Sequence, residues 1–249
     1  MKWSLRSSIP ACAAIFFAGS ASAGDIASMR SIGFSSDGQI FAYEEYGVQD
    51  GSGFPYANIY VLDLSKDTFL PGTPFRVRLE NEGASVAKAR WQVRNDADVM
   101  IETHEFVNHP AEILAYNPIT DVDGDPHRIR YRSVSALPAV GEPNTLVLEE
   151  SPEPPDTACE GIVERTASFR LRFTERDGKP VSQVVHDDEH VPASRRCVTS
   201  YRLGGIMSGT TPRGAKVEVA MVLVLSAGFE GPDGRWIAVP IKTISPDLQ

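Results

Sequence analysis

The stretch VEVAMVLVL, Val217 to Leu225, constrains the fold more than any other part of the chain, because it is apolar at nearly every position. Successive side chains of a strand point to opposite faces, so such a run has to be covered on both sides. It is far shorter than the roughly 20 apolar residues a membrane-spanning helix needs. We therefore expect a central strand of a layered β structure. NIYVLDL, Asn58 to Leu64, reads the same way, with Ile59 and Val61 on one face and Tyr60, Leu62 and Leu64 on the other.

Turn chemistry supplies the neighbours of these strands. Asp37-Gly38 offers a tight turn between Ser31–Phe34 and a strand over Gln39–Glu45. Asp177-Gly178 joins Thr166–Glu175, where Phe169, Leu171 and Phe173 alternate, to Val181–His186. Arg128 to Val134 alternates basic and apolar residues, and Cys197–Ile206 reads as a further strand. Gly228 to Ala238 echoes Gly33 to Ala42, which suggests two meanders sharing turn chemistry and packing against each other.

One region changes period. Val86, Ala89, Val93, Ala97 and Met100 recur every three or four residues, the apolar stripe of a helix over about 84–104. A short second helix is expected around Ala111–Ala115, so the helical insert spans about 84–115. Five prolines between Ser135 and Asp156 point to a surface connection with one short strand at Thr145–Glu149. The fold class is thus α+β and strand-dominated, with antiparallel β-meanders in sandwich-like sheets and one helical insert.

The N-terminus carries Lys2 and Arg6, then the mainly apolar run Ile9–Phe17, then Ala21-Ser22-Ala23. This is the pattern of a cleavable signal peptide, with the mature chain starting near Gly24 and Cys12 leaving with the leader. The organisation expected is 1–23 signal peptide, 24–134 N-terminal meander with the helical insert, 135–156 Pro-rich connection and 157–249 C-terminal antiparallel lobe. The two lobes are expected to form one compact domain, periplasmic or secreted, with no membrane insertion. Without Lys2 and Arg6, the 24 basic residues become 22 against 33 acidic, a formal charge of −11. Such a surface repels phosphate backbones, which argues against nucleic acid as a partner. Cys159 and Cys197 are then the remaining cysteines, and an oxidising compartment favours a disulfide between them.

Two resemblances follow. FSSDGQIFAY followed by IYVLDL resembles a single blade of a TolB-type propeller, although a propeller needs at least four such units and one copy is found. FSSDGQIFAYEEYG, NIYVLDL, DPHRIRYR, VPASRRC and GFEGPDGRWIAV, taken in order, resemble a family of bacterial predicted secreted proteins of unknown function. That resemblance implies export and a shared fold, and brings no catalytic residue with it.

Candidate sites are few. Asp121, Asp123 and Asp125 space carboxylates as calcium loops do, but Arg132 stands where a bidentate Glu is needed and Gly124 is misplaced, so a polar turn is the alternative. No cofactor is expected beyond such a structural calcium. His186, Asp188 and His190 share a face if extended and could begin a zinc site, against a solvated hairpin end. Ser85-Val86-Ala87-Lys88 matches the Ser-x-x-Lys of serine acyl-transferases without its partner motifs. Tyr43, Tyr46, Phe54 and Tyr56 flank the glycine-rich loop Gly47–Gly53, either as exposed ligand-binding aromatics or as plugs of the meander's ends. The reading that results is an exported, non-enzymatic binding or accessory protein for an envelope protein or glycan. The alternative is a metal-dependent hydrolase using the cluster from His186 to His190.

Overall fold

The computed structural model describes residues 24–241. The expected signal peptide, residues 1–23 with Cys12, and residues 242–249 lie outside the described residues. The chain runs β1 (Ser28–Phe34), β2 (Ile40–Val48), β3 (Pro55–Asp63), β4 (Thr68–Phe69), β5 (Phe75–Arg78), α1 (Val86–Thr103), β6 (Glu112–Tyr116) and β7 (Arg128–Tyr131). It continues through β8 (Asn144–Glu153), β9 (Thr166–Arg176), β10 (Lys179–Asp187), β11 (Val198–Thr210), β12 (Lys216–Ala227) and β13 (Pro232–Ile241). Single 3₁₀ turns lie at Phe106–Asn108 and Ala193–Arg195.

All strand pairings between these elements are antiparallel. The first sheet has the order β1-β2-β3-β4, with β5 also on β3. The second is β13-β12-β11-β6 and the third is β10-β9-β8-β7.

The expectation for Val217–Leu225 holds. On β12, Val219, Met221 and Leu223 pack against Phe41, Tyr43, Tyr56 and Leu62 of the first sheet. The alternate residues Ala220, Val222 and Val224 pack against Leu146, Leu148, Phe169 and Leu171 of the third. The outer face of the first sheet, with Ala42, Ala57, Ile59 and Val61, is covered by Ala89, Val93 and Ala97 of α1. The result is a stack of four layers, one helix and three sheets, and the two meanders that echo each other in sequence meet in its middle.

Local chemistry explains the element ends. Asp177 (φ 48°) and Gly178 (φ 69°) both take the left-handed conformation that a two-residue hairpin turn requires. Ser85 caps α1, its Oγ accepting from Lys88 N–H at 3.2 Å, which is the structural role of the Ser-x-x-Lys match. Gly204 leaves room for the ring of Trp236, since a Cβ there would stand 2.3 Å from it.

Two expectations need correction. Residues 111–115 are not helical: Glu112–Tyr116 is strand β6, paired with β11, and long-range pairing overrides the local pattern. The strand read as 145–149 is the longer β8, whose register with β9 runs through Pro152 at the β8 end.

Glu44 ties α1 to the first sheet. It lies on the helix-facing side of β2 and is fully buried, accepting from Arg90 Nε at 2.8 Å, Arg90 Nη2 at 2.9 Å and Arg94 Nη2 at 2.7 Å. Burial pushes its carboxyl up, but the two guanidinium groups outweigh that and hold it below the usual range. Its contribution to stability is therefore present above the unfolded value near 4.5 and lost as pH falls through the lower folded value. Glu44→Gln should cost roughly 2 kcal/mol at neutral pH, as expected for breaking a partly exposed ion pair. It should also flatten the acid limb of a plot of melting temperature against pH, and an unchanged limb would contradict this account.

Candidate functional site

The second sheet ends on β13, which pairs with β12 on one side only, and along its open edge runs a cleft of about 510 Å³. That volume lies within the range of roughly 300–1,000 Å³ common for ligand sites. One wall comes from the first sheet, through Tyr60, Phe69 and Arg76. The other comes from the end of β10 and the turn after it, through His186, Asp188, Arg195 and Arg196.

Glu45 organises the floor. On β2 it continues the face of Phe41 and Tyr43, so strand alternation buries a carboxylate where an aromatic pattern would continue. Its oxygens accept from Tyr60 Oη (2.8 Å), Asn58 Nδ2 (3.1 Å) and the Trp236 backbone N–H (3.0 Å). Tyr43 Oη donates to the Trp236 carbonyl at 2.8 Å, and Trp236 Nε1 donates to Ala27 O at 2.7 Å. Burial, followed by the charge of Glu45, pushes the hydroxyls of Tyr43 and Tyr60 up, so both remain proton donors. The edge groups of Trp236 are thus capped by side chains from the facing sheet, in place of another strand.

The opposite wall is a chain of contacts ordered by Asp188. His186 Nε2 lies 2.8 Å from Asp188 Oδ1, and Asp188 Oδ2 accepts from Arg195 and from Phe169 N–H at 3.1 Å. The His186 ring stacks on Phe169 at 4.7 Å, while Arg195 lies over the same ring at 4.8 Å. Burial pushes the Asp188 carboxyl up, but His186 and Arg195 outweigh it and leave it below the usual range. His186 Nδ1 faces Asp67 Oδ2 at 3.9 Å.

The turn carrying Arg195 and Arg196 is fixed by the disulfide Cys159–Cys197, with Cα atoms 5.4 Å apart. Arg196 holds φ 57° and ψ −146°, a backbone state that costs a non-glycine residue about 1–3 kcal/mol and is kept where surroundings enforce it.

The cleft's charges are unequally satisfied. Arg195 is paired with Asp188, and Arg235 with Asp25. Arg76 and Arg196 are exposed on opposite walls, and among the described residues neither has a carboxylate partner. Arg76 lies 5.9 Å from the centre of the Tyr60 ring, and Tyr60 in turn packs against Phe69, which is 47% exposed. The arrangement offers aromatic surface, two free guanidinium groups and a rigid polar floor.

The residues expected from sequence divide sharply. His186 and Asp188 reach the cleft. His190 lines a separate cavity of about 160 Å³ beside Glu153 and Cys159. Among the described residues no group of three His, Cys, Asp or Glu side chains is gathered as a metal ion would need. Asp121 and Asp125 are exposed and serve local turns, accepting from Asp123 N–H (3.1 Å) and His127 N–H (2.8 Å).

Of the four aromatic candidates, Tyr43 and Tyr56 are buried; the Tyr56 hydroxyl donates to Asp25 at 2.8 Å. Tyr46 lies under Arg90 at 3.8 Å on the helix side, and Phe54 lies 6.0 Å from Arg78. Of the four, only Tyr43 lines the cleft. Glu45, Tyr60, Phe69, Arg76, Arg195 and Trp236 were not singled out from sequence. One signal was there to read, a carboxylate at position 45 continuing the aromatic face of Phe41 and Tyr43.

The family described as "Predicted secreted protein (DUF2259)" matches residues 42–242. The chain belongs to that family. Its match begins within β2 and takes in both walls of the cleft, so the site lies inside what defines this secreted family. Neither a curated protein nor a solved structure matches the chain.

Replacing Asp188 should disturb this wall most. Asp188→Asn leaves Arg195, itself largely buried, without its counter-charge and should cost about 2–3 kcal/mol. Because the Asp188 carboxyl sits below its usual range when folded, the difference from the parent protein should be full at neutral pH and shrink as pH falls below about 4. Urea unfolding at pH 7 and pH 3 measures it; an equal difference at both would contradict the assignment.

Proposed function

We propose that this secreted protein is a non-enzymatic binding protein of the cell envelope, acting in the periplasm or outside the cell after removal of residues 1–23. Its cleft on the β13 edge holds a segment of an envelope protein or glycan. The observation that carries this reading is the division of labour within the cleft. The groups best suited to chemistry, Glu45 and the His186–Asp188 pair, are held by protein partners. The groups left open are those suited to holding a ligand, namely Phe69, Arg76 and Arg196. Aromatic faces flanked by fixed polar groups favour a glycan, since sugar rings stack on aromatic surface while their hydroxyls take the hydrogen bonds. A hydrolase built on the cluster from His186 to His190 finds less support, because His190 lines the other cavity.

Sedimentation with isolated envelope polysaccharide tests this reading. The parent protein should pellet with the polymer, and Phe69→Ala and Arg76→Ala should each weaken binding about tenfold, the loss typical of a central contact. Trp91→Ala, on the outer face of α1, should leave it unchanged. Equal binding by all variants would overturn the placement of the site.

A further inference from the structure

Partnering separates the charges that line the cleft. Of its carboxylates, Glu45 is fully buried and accepts from three donors, and Asp188 is taken by His186, Arg195 and Phe169 N–H. Asp233 accepts from Asp25 N–H at 3.3 Å, and Asp67 faces His186. Arg195 and Arg235 are paired with Asp188 and Asp25. Arg76 and Arg196 are exposed on opposite walls, and among the described residues neither meets a carboxylate, although acidic residues outnumber Lys and Arg 33 to 24 in the chain. A concave site with walls of low dielectric focuses the field of such charges.

Arg196 is also fixed in place. Its φ of 57° is a strained state for a residue other than glycine, and the adjoining Cys197 is tied to Cys159. The floor between the two walls is polar at one further point. Alternate residues of an antiparallel strand turn both N–H and C=O to the same side. Gly234 turns its pair away from β12, to Asp25 O and Ala27 N–H, and Trp236 turns its pair to Glu45 and Tyr43. The register with β12 is unbroken, so Ala238 does the same, and among the described residues those two groups have no partner.

We infer that the cleft takes an acidic glycan, whose uronic acid carboxylates pair with Arg76 and Arg196. A guanidinium presents paired N–H groups that match the two oxygens of a carboxylate. The Phe69 ring lies 5.6 Å from that of Tyr60, and Arg76 lies 5.9 Å from the same Tyr60 ring. A sugar ring stacked on Phe69 therefore brings a carboxylate borne on that ring towards Arg76, and a repeating chain carries the next acid groups across to Arg196. Sugar hydroxyls both donate and accept, so neighbouring ones meet the N–H and the C=O of Ala238. This inference rests on the glycan-binding reading above and names the ligand's class.

Polygalacturonate and its fully methyl-esterified form test it, since they share every ring and linkage and differ in charge. Unspecific attraction is opposed by the protein's own net charge of −9, so binding of the free acid reports the cleft. By sedimentation at about 50 mM salt the free acid should bind at least about tenfold tighter than the ester, and the advantage should shrink as salt rises. Arg76→Gln and Arg196→Gln should each remove most of that advantage; should Arg196→Gln not fold, Arg76→Gln decides. Arg213→Gln, at an exposed arginine in the turn between β11 and β12, should leave it intact.

Equal binding of both polymers, lost on Phe69→Ala, would overturn the inference while leaving the glycan reading in place. A preference that survives both cleft variants would overturn it, as would a phosphomannan or poly-L-glutamate binding tighter than polygalacturonate. Failure of both polymers would also overturn it, and sedimentation with envelope polysaccharide then judges the cleft separately.

Discussion

A strand that is apolar on both faces needs two covers, and β12 imposes this on the whole chain. Val219, Met221 and Leu223 demand one sheet, Ala220, Val222 and Val224 demand another, and each covering sheet presents a further face to be dealt with. The first sheet meets that demand with α1, whose Ala89, Val93 and Ala97 are small enough for close approach. Burying these faces is the largest favourable contribution available to a chain of this size. The side-by-side order of the layers follows from it.

Stacking satisfies faces and leaves edges. Where the three sheets end near one another, β13 presents a row of backbone groups that a neighbouring strand would ordinarily pair. The chain treats that edge piecemeal. Residues 25–27 cover Gly234, side chains of the facing sheet cover Trp236, Pro240 lacks a donor, and Ala238 faces the cleft. Capping by Glu45 and Tyr43 also blocks the edge against strand addition, so the cleft stays open without inviting aggregation. The cleft is thus the remainder of an edge problem that the fold solves almost everywhere else.

The sequence carried the layers more legibly than the site. Periodicity located α1 within a residue or two, the Asp-Gly pairs fixed two hairpins, and the apolar run at 217–225 required a central strand. Each of those is a local pattern with a single physical reading. It missed β6, because Glu112–Tyr116 is held in strand form by β11, some 90 residues away in the chain. The cleft was harder still. Arg76, Arg195 and Trp236 meet only through the stacking of sheets, and nothing around any one of them announces the others. The dense clusters are local in sequence and divide in space: Asp121 and Asp125 accept from nearby backbone N–H groups, and His186 and Asp188 line the cleft while His190 lines a second cavity.

The β13 edge is capped at Trp236 and open at Ala238. Amide hydrogen exchange of the unliganded protein reads that contrast directly. Trp236 N–H, held by the buried Glu45, should be among the most protected amides, and so should Ile237 and Val239, which face β12, while Ala238 between them exchanges far faster. Protection of Ala238 equal to that of its neighbours would mean the edge is closed, and the cleft would lose its basis as a binding site.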